Sequence, residues 1–532
     1  SHPAHDQVKQ EENMTWFPKL TKLNIIRCPK LASLPPIPWT KAPCSVEIEQ
    51  TGPVFGKLLY SKNFKSELSL EIEGKDGQHG ALWNGLAFHN LADLKELKVT
   101  KCPPLPLIHL QKLKSLKSLR IIGMSNSLML FEGESYNTEC PLPVEEIQIE
   151  HCGADGKELT QLLSHFPKLT KLEVTSCKKI TELGVEVLQT EMTTPSSPCN
   201  EIEIEHAQAG QHQTRGEEVE DAAVGGGLLL LPRQLEELTI CGRRELRLLS
   251  DSLGKDSTHG GGLQNLCSLR SLTTYDCPRF LSSYSSSASS CFPFPASLQE
   301  LRLSGVVGME TLAPLSNLIS LTSLSVYYCG DLRGEGLWPL VAQGHLTRLD
   351  IRGTPKFFTG SEPSRPHDQE IPSSSYKLER LTTDDWAGVL TPPICELLSS
   401  SLTQLMFCGN KEVERFTEEQ EEALRLLSSL QQLDFWDCGK LQRLPAGLTK
   451  LASLKILRIR WCPAMRSLPK HGLPSSLQEL EIDSCPAIKS LPNDGLPSSL
   501  RKLEVPYGIS EELKRQCRKL KGTIPIIKDY DD

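Results

Sequence analysis

One unit recurs along the chain: Leu-x-x-Leu-x-(Ile/Val/Leu)-x-x-Cys. It stands most clearly at Leu20-Leu23-Ile25-Cys28 and returns in the same frame at Leu94-Leu97-Val99-Cys102, Leu169-Leu172-Val174-Cys177 and Leu321-Leu324-Val326-Cys329. It closes the chain as Leu430-Leu433-Phe435-Cys438, Leu454-Leu457-Ile459-Cys462 and Leu477-Leu480-Ile482-Cys485. Weaker copies begin at Leu116, Val144, Cys199, Leu235, Leu269, Leu298, Leu346, Leu378, Leu402 and Leu500, and two further candidates are Val46-Ile48 and Leu70-Ile72. Within each unit the alternation of apolar and polar residues predicts a short strand, and the stretch after it turns the chain back. A coil of this size buries its leucines only against its neighbours, so 532 residues form an elongated array rather than one globule.

About seventeen units at a period of roughly 20 to 29 residues, some longer, match leucine-rich repeats. The expected fold is an α/β repeat solenoid: a leucine-rich-repeat horseshoe with a parallel β-sheet on the concave face and a mostly irregular or short-helical convex side. With strands about 4.8 Å apart, such an array traces an arc of roughly 80 Å. The ninth position accounts for Cys28, Cys102, Cys152, Cys177, Cys277, Cys329, Cys438, Cys462 and Cys485, half of the 18 cysteines. Here the chain leaves the strand and buries carbonyls, and a small residue with a weak donor suits the place. Short Cys-x-x-Cys spacing is absent, so no metal site is expected.

The period breaks at 31–66, rich in Pro, at 207–227, acidic then Gly-rich, at 281–290, nearly all Ser, and at 359–375. These read as surface loops without chemistry. Three regions follow: N-terminal repeats over 1–230, C-terminal repeats over 231–509, and a capping helix with its tail over 510–532. Ser510 is the expected N-cap of that helix, Leu513, Cys517 and Leu520 share its apolar face, and Gly522 stops it. The N-terminus enters a repeat at Phe17-Pro18-Lys19-Leu20 with no equivalent cap, and further chain is expected upstream.

A net charge of −8 and a pI near 6.0 give no support to nucleic-acid partners. No stretch approaches the roughly 20 apolar residues of a membrane span, and the first residues carry no signal segment. Asn13-Met14-Thr15 is the lone sequon, which with the scattered cysteines favours a reducing, cytoplasmic or nucleo-cytoplasmic setting. Enzyme signatures fail one by one. Gly52-Pro53-Val54-Phe55-Gly56-Lys57-Leu58 is one residue short of a phosphate loop and ends on Leu where Ser or Thr would hold Mg²⁺. His259-Gly260-Gly261-Gly262 lacks any Gly-x-Ser-x-Gly elbow to serve, and the 13 histidines include no His-Glu-x-x-His pair. No catalytic residue and no cofactor are expected.

The units resemble the C-terminal repeats of plant intracellular nucleotide-binding leucine-rich-repeat disease-resistance proteins, in particular the coiled-coil class of cereals. The resemblance lies in Cys28-Pro29-Lys30-Leu31-Ala32-Ser33-Leu34-Pro35, Cys462-Pro463-Ala464-Met465-Arg466-Ser467-Leu468-Pro469 and Cys485-Pro486-Ala487-Ile488-Lys489-Ser490-Leu491-Pro492. The Gly-Leu-Pro-Ser-Ser-Leu linkers at 472–477 and 495–500 and the tail Cys517-Arg518-Lys519-Leu520-Lys521-Gly522-Thr523-Ile524-Pro525 extend it. It implies a partner protein, either a pathogen effector or a guarded host protein, and a nucleotide-binding switch domain in cis or in trans. The sequence departs from the family in containing no phosphate loop, no Met-His-Asp motif and no coiled coil. Two other readings stand beside it. Leu169 to Leu188 resembles the repeats of ubiquitin-ligase F-box adaptors, and Leu520-Lys521-Gly522-Thr523-Ile524-Pro525 fits an extracellular-receptor signature.

Strand alternation points every second side chain away from the leucines, so stacked coils present columns. One column reads Tyr327, Arg352, Trp436, Arg460 and Asp483. The next holds Tyr328, Asp437, Trp461 and Tyr507, and the one before holds Asp350, Asp434 and Arg458. Trp, Tyr and Arg are the residues most enriched at interface hot spots, which makes these twelve the expected partner-binding residues. The competing explanation is that aromatics simply favour strands. A second feature is the basic run Lys95, Lys98, Lys101, Lys112, Lys114, Lys117 and Arg120, set among few acids. Such a run is usually a solvated face, and under the receptor resemblance it is the docking face for the switch domain.

Overall fold

The structure is a computed structural model that describes residues 16–31, 34–51, 55–65, 67–75, 80–124, 142–186, 226–249, 259–260, 262–284, 292–360, 376–469, 472–492 and 495–528. Twenty strands form one sheet. The first eight are β1 (Lys22–Ile26), β2 (Cys44–Thr51), β3 (Phe55–Lys62), β4 (Leu68–Glu73), β5 (Glu96–Thr100), β6 (Ser118–Ile122), β7 (Glu146–Glu150) and β8 (Lys171–Thr175). Then come β9 (Glu237–Cys241), β10 (Ser271–Tyr275), β11 (Glu300–Ser304), β12 (Ser323–Tyr327), β13 (Arg348–Arg352) and β14 (Arg380–Thr383). The last six are β15 (Gln404–Cys408), β16 (Gln432–Trp436), β17 (Ile456–Arg460), β18 (Glu479–Asp483), β19 (Lys502–Glu504) and β20 (Ile526–Lys528).

Each strand pairs with the next in chain order, and every pair is parallel except β2–β3 and β3–β4. The register puts leucine beside leucine, as in Leu433↔Leu457 and Leu457↔Leu480. Those side chains are wholly buried, whereas the residues between them alternate to the open face. Burying one such leucine is worth about 1.5–3 kcal/mol, and the gain exists only because the adjoining coil covers it. The chain is a leucine-rich-repeat solenoid.

The ninth-position thiols form a ladder. Cys462 donates to the carbonyls of Arg460 (3.3 Å) and Phe435 (3.8 Å), and Cys485 to those of Asp483 (3.1 Å) and Ile459 (3.6 Å). Cys102, Cys177, Cys277, Cys329 and Cys438 repeat the pattern. Burial pushes the thiols of Cys102, Cys177, Cys277 and Cys329 up to about 11. They act as neutral weak donors, and all described cysteines are free. In three coils that depart from Cys the donor changes and the bond to a carbonyl stays, whereas Met124 and Val306 bring no donor at all. Thr354 donates to Arg352, Asn410 to Asp384, and the guanidinium of Arg243 to Lys178 and Ile180.

Behind the sheet the chain returns through turns, short 3₁₀ segments and a few helices. Two of the helices have full capping boxes: Gly156–Leu163, with Asp155 and Glu158, and Glu418–Arg425, with Thr417 and Gln420. A second, four-stranded sheet lies off the main one, where Glu182–Glu186 pairs with Leu228–Leu231, Arg247–Leu248 and His259–Gly260.

Two expectations change. Within 31–66, read as a loop apart from the candidate unit Val46-Ile48, the runs Cys44–Thr51, which takes in that unit, and Phe55–Lys62 are strands of the main sheet, because each alternates and together they bury Val46, Ile48, Leu58 and Tyr60. Pro35, Pro36, Pro38 and Pro43 precede the two runs in sequence, and Pro53 falls between them. At the other end, Ser510 caps a helix over Glu511–Lys519 that buries Leu513 and Cys517, as the sequence suggests, but the tail beyond it adds the parallel strand β20. The unit expected at Cys199, most of 207–227, and residues 285–290 and 361–375 lie outside the described residues. In the main sheet β8 pairs directly with β9.

Candidate protein-recognition surface

Parallel register, rather than sequence proximity, assembles the open face of β12–β18. The twelve expected residues fall into two side-chain clusters and a rim. In the first cluster, the Tyr327 hydroxyl donates to Asp350 Oδ2 (2.9 Å), and Arg352 grips the same carboxylate with Nε (2.7 Å) and Nη2 (2.8 Å). The Arg352 guanidinium lies 5.5 Å from the Tyr327 ring centroid and 5.7 Å from that of Trp436. Trp436 comes from β16, with β14 and β15 between. Cys408, its register partner on β15, is small and buried, which leaves the span open.

The second cluster is built on Glu481, a residue the sequence reading missed. Arg460 donates to it through Nε (2.5 Å) and Nη2 (2.6 Å), and Arg458 Nε lies 3.3 Å away. Arg458 also stands 3.9 Å from Asp434 Oδ2, which accepts from Gln432 Nε2 at 2.8 Å. Asp434 is 4% exposed although it has outward parity, and burial raises its carboxyl above the ordinary range. Glu481 shares the column of Asp350, Asp434 and Arg458, so its position was legible; its role as their counter-charge was not.

Tyr328, Asp437 and Trp461 each follow a strand with φ near +55 (53°, 53° and 57°). Some neighbouring coils fill this left-handed position with Gly305, Gly353 and Gly409, which avoids a side-chain cost of about 1–2 kcal/mol, and others with Asp276 and Ser484. Tyr328 and Trp461 take the position nonetheless and stand 71% and 58% exposed. Strand propensity does not account for large aromatics in a non-strand conformation, although the left-handed turn itself belongs to the repeat, recurring at Lys101, His151, Ser176 and Asp276. Gly353 also makes room for Tyr328: a Cβ at 353 would sit 2.2 Å from the Tyr328 ring. Tyr507 holds the same rim on the coil after β19, and the Asp483 carboxylate accepts from Ser484 Oγ (3.1 Å). Exposed Tyr275, at the end of β10, extends the aromatic column beyond the residues the sequence singled out.

The basic run looks different once folded. Lys98 pairs with Glu71 (2.8 Å), Lys117 with Glu145 (3.1 Å) and Arg120 with Glu150. These acids belong to adjoining strands or their approaches, so the register brings counter-charges that lie about 30 positions away in sequence. A groove of about 490 Å³ beside them is lined by Lys95, Lys117 and Lys171 together with Glu67, Glu96 and Glu145. The expected basic face is therefore a mixed one. Among the described residues no group of His, Cys, Asp and Glu could hold a metal ion, and no helix is long and apolar enough to cross a membrane.

No protein family and no curated relative matches the chain. Among solved structures it is similar to TLR13 in complex with ssRNA13, at 13% identity and a TM-score of 0.42, over 84% of this chain and 63% of that one. It thus spans less than two thirds of the length of TLR13. It is also similar to an internalin from Listeria monocytogenes, at 14% identity and a TM-score of 0.28, over 74% of this chain and 81% of that one. At those scores the fold assignment rests on the strand register itself.

Proposed function

We propose that this chain is a protein-recognition module of plant innate immunity, which senses a pathogen effector or a guarded host protein through the open face of its sheet. The observation that carries the reading is the row of exposed aromatics and ordered arginines at the ends of β12–β18, with the exposed rings of Tyr328 and Trp461 on the turn that follows their strands. Rigid aromatic and guanidinium groups on a fixed scaffold provide interface hot spots at small entropic cost. The immune setting is supported by the Cys-Pro-x-(Leu/Met/Ile)-x-x-Leu-Pro extensions and the tail at 517–525, which resemble plant nucleotide-switched receptors. The chain is a binding module and not an enzyme, it acts in the cytoplasm, and a nucleotide-binding switch in cis or in trans converts binding into a signal.

The test is proximity labelling of the chain in its source tissue, with and without the triple change Trp436→Ala, Arg460→Ala and Trp461→Ala. The expected result is recovery of an effector or host target that the triple variant loses while its melting transition stays in place. Hot-spot truncations of this kind cost about 2 kcal/mol or more each. Unchanged recovery would remove this face from consideration, and recovery of ubiquitin-ligase subunits would favour the adaptor reading.

A further inference from the structure

We propose that the open face takes a phosphate monoester of its partner, a phosphoserine or phosphothreonine side chain, between Arg348 and Arg380. The inference rests on that face being a recognition surface and names the chemistry of one contact. Arg348 opens β13 and Arg380 opens β14, and the parallel register sets the two side by side, about 4.8 Å apart along the sheet. Both have outward parity and both are exposed, whereas the residues that follow them, Leu349 and Leu381, are buried. Among the described residues neither guanidinium has a carboxylate within ion-pair distance or a hydrogen-bond partner.

Elsewhere on this face the register supplies the acids. Lys98 and Arg120 are likewise partners, on β5 and β6, and each holds its own carboxylate, Glu71 and Glu150. Arg458 and Arg460 have Glu481 and Asp434 between them. In both places two acids answer two cations. Beside Arg348 and Arg380 the same column continues with neutral residues, Ser323 on β12 and Gln404 on β15. Asp350, two positions along β13, is taken by Arg352 and Tyr327. Glu379, just before Arg380, is exposed and pairs with neither arginine. Like charges set opposite each other destabilise a sheet, and no described residue offsets this pair.

The missing counter-charge is therefore a dianion. A phosphate monoester carries about −1.5 to −2 charges at pH 7 with three acceptor oxygens, and guanidinium forks match its geometry. One carboxylate or one phosphodiester brings a single charge and leaves the second arginine unanswered. The chain as a whole carries −8, so attraction of an anion is local to the pair rather than general. Arg352, with the Tyr327 and Trp436 rings, closes the other end of β13, about 13 Å from Arg348. An extended segment that seats its phosphate on the arginines reaches those rings with its fourth residue.

The experiment measures, by fluorescence anisotropy, binding of labelled Gly-Ala-phosphoserine-Ala-Gly to the full chain, beside counterparts with Ser or Glu at the central place. The phosphopeptide should bind at least tenfold more tightly than the Glu peptide, and the preference should fall below about pH 6, where the phosphate regains its second proton. Arg348→Gln with Arg380→Gln should lose tenfold or more of this binding and melt no lower than the parent, since it relieves a like-charge contact. A matched control, Lys411→Gln with Arg415→Gln, removes two exposed cations beyond β15 and should lose none. Absence of phosphopeptide binding, equal binding of the Glu peptide, or equal losses in the two variants would each overturn the proposal, the last by showing diffuse attraction. None of these outcomes touches target loss in the triple variant at Trp436, Arg460 and Trp461, so the recognition surface and this contact fail separately. Should the double variant melt early, Arg380→Gln alone carries the same test.

Discussion

The strands β4–β8 and β12–β18 share one backbone plan and use charge in opposite ways. In the first region the pairs are separate and range from half-buried to exposed: Lys98 and Glu71 each keep 35% of their side chains in solvent, and Lys117 and Glu145 keep 58% and 49%. In the second, Arg458 and Glu481 keep 25% and 14%, Glu481 is shared with Arg460, and Arg352 lies between the Tyr327 and Trp436 rings. Exposed pairs contribute little and are screened by salt, whereas half-buried ones hold side chains in fixed geometry. The same solenoid thus carries a neutralised flank and an organised face, and the difference lies in which residues occupy the outward columns rather than in the fold.

If the two regions are energetically separable, as nearest-neighbour coupling in a solenoid implies, damage to one should spare the other. Phe435→Ala tests this with the largest effect. Phe435 is wholly buried, 5.7 Å from Phe407 and 6.1 Å from Trp386, and its loss should cost about 3–5 kcal/mol. Hydrogen exchange should speed up in β14–β18 and stay unchanged in β5–β8; uniform loss of protection would break the comparison.

Acidity gives the next contrast. Burial raises the folded-state carboxyls of Asp434, Asp384 and Asp385, so the native state keeps these protons to higher pH than the unfolded chain. From the ordinary carboxyl value near ~4 up through the raised one, their contribution to stability falls as pH rises. The Asp434→Asn variant should therefore lose less stability than the parent as pH rises from the ordinary carboxyl value near ~4, in paired thermal melts. Parallel curves would show that Asp434 is not desolvated.

The thiol ladder allows a finer comparison between its interior and its first rung. Cys462→Ala should cost about 1 kcal/mol, since two carbonyls lose a weak donor. Cys28→Ala should cost almost nothing, because Cys28 is exposed and reaches only the Ile26 carbonyl. Chemical denaturation of both variants checks this, and equal costs would deny the ladder a role. The smallest effect is expected from Lys117→Ala, at about 0.2–1 kcal/mol, erased at high salt. A larger, salt-insensitive loss would mean that the flank is as organised as the face.

The strands and their inward leucines were legible in the sequence because alternation and the repeat period are local properties, readable wherever Leu-x-x-Leu recurs. The ninth-position cysteine and the Ser510 cap were legible for the same reason: each answers to backbone groups within a few residues or at the matching place one coil away. The columns that bring Tyr327, Asp350, Arg352 and Trp436 into one outward set could also be written down from register alone. What the sequence could not hold was which charges cancel. Glu71, Glu145 and Glu150 neutralise the basic run, and Glu481 gathers two arginines, only because parallel pairing sets residues 21 to 30 positions apart side by side. The tertiary structure also decided that Asp384 and Asp434 are buried on an outward face and that Tyr328 and Trp461 stand at left-handed turns. Burial and backbone sign are set by the neighbouring coils, and a lone repeat, having none, determines neither.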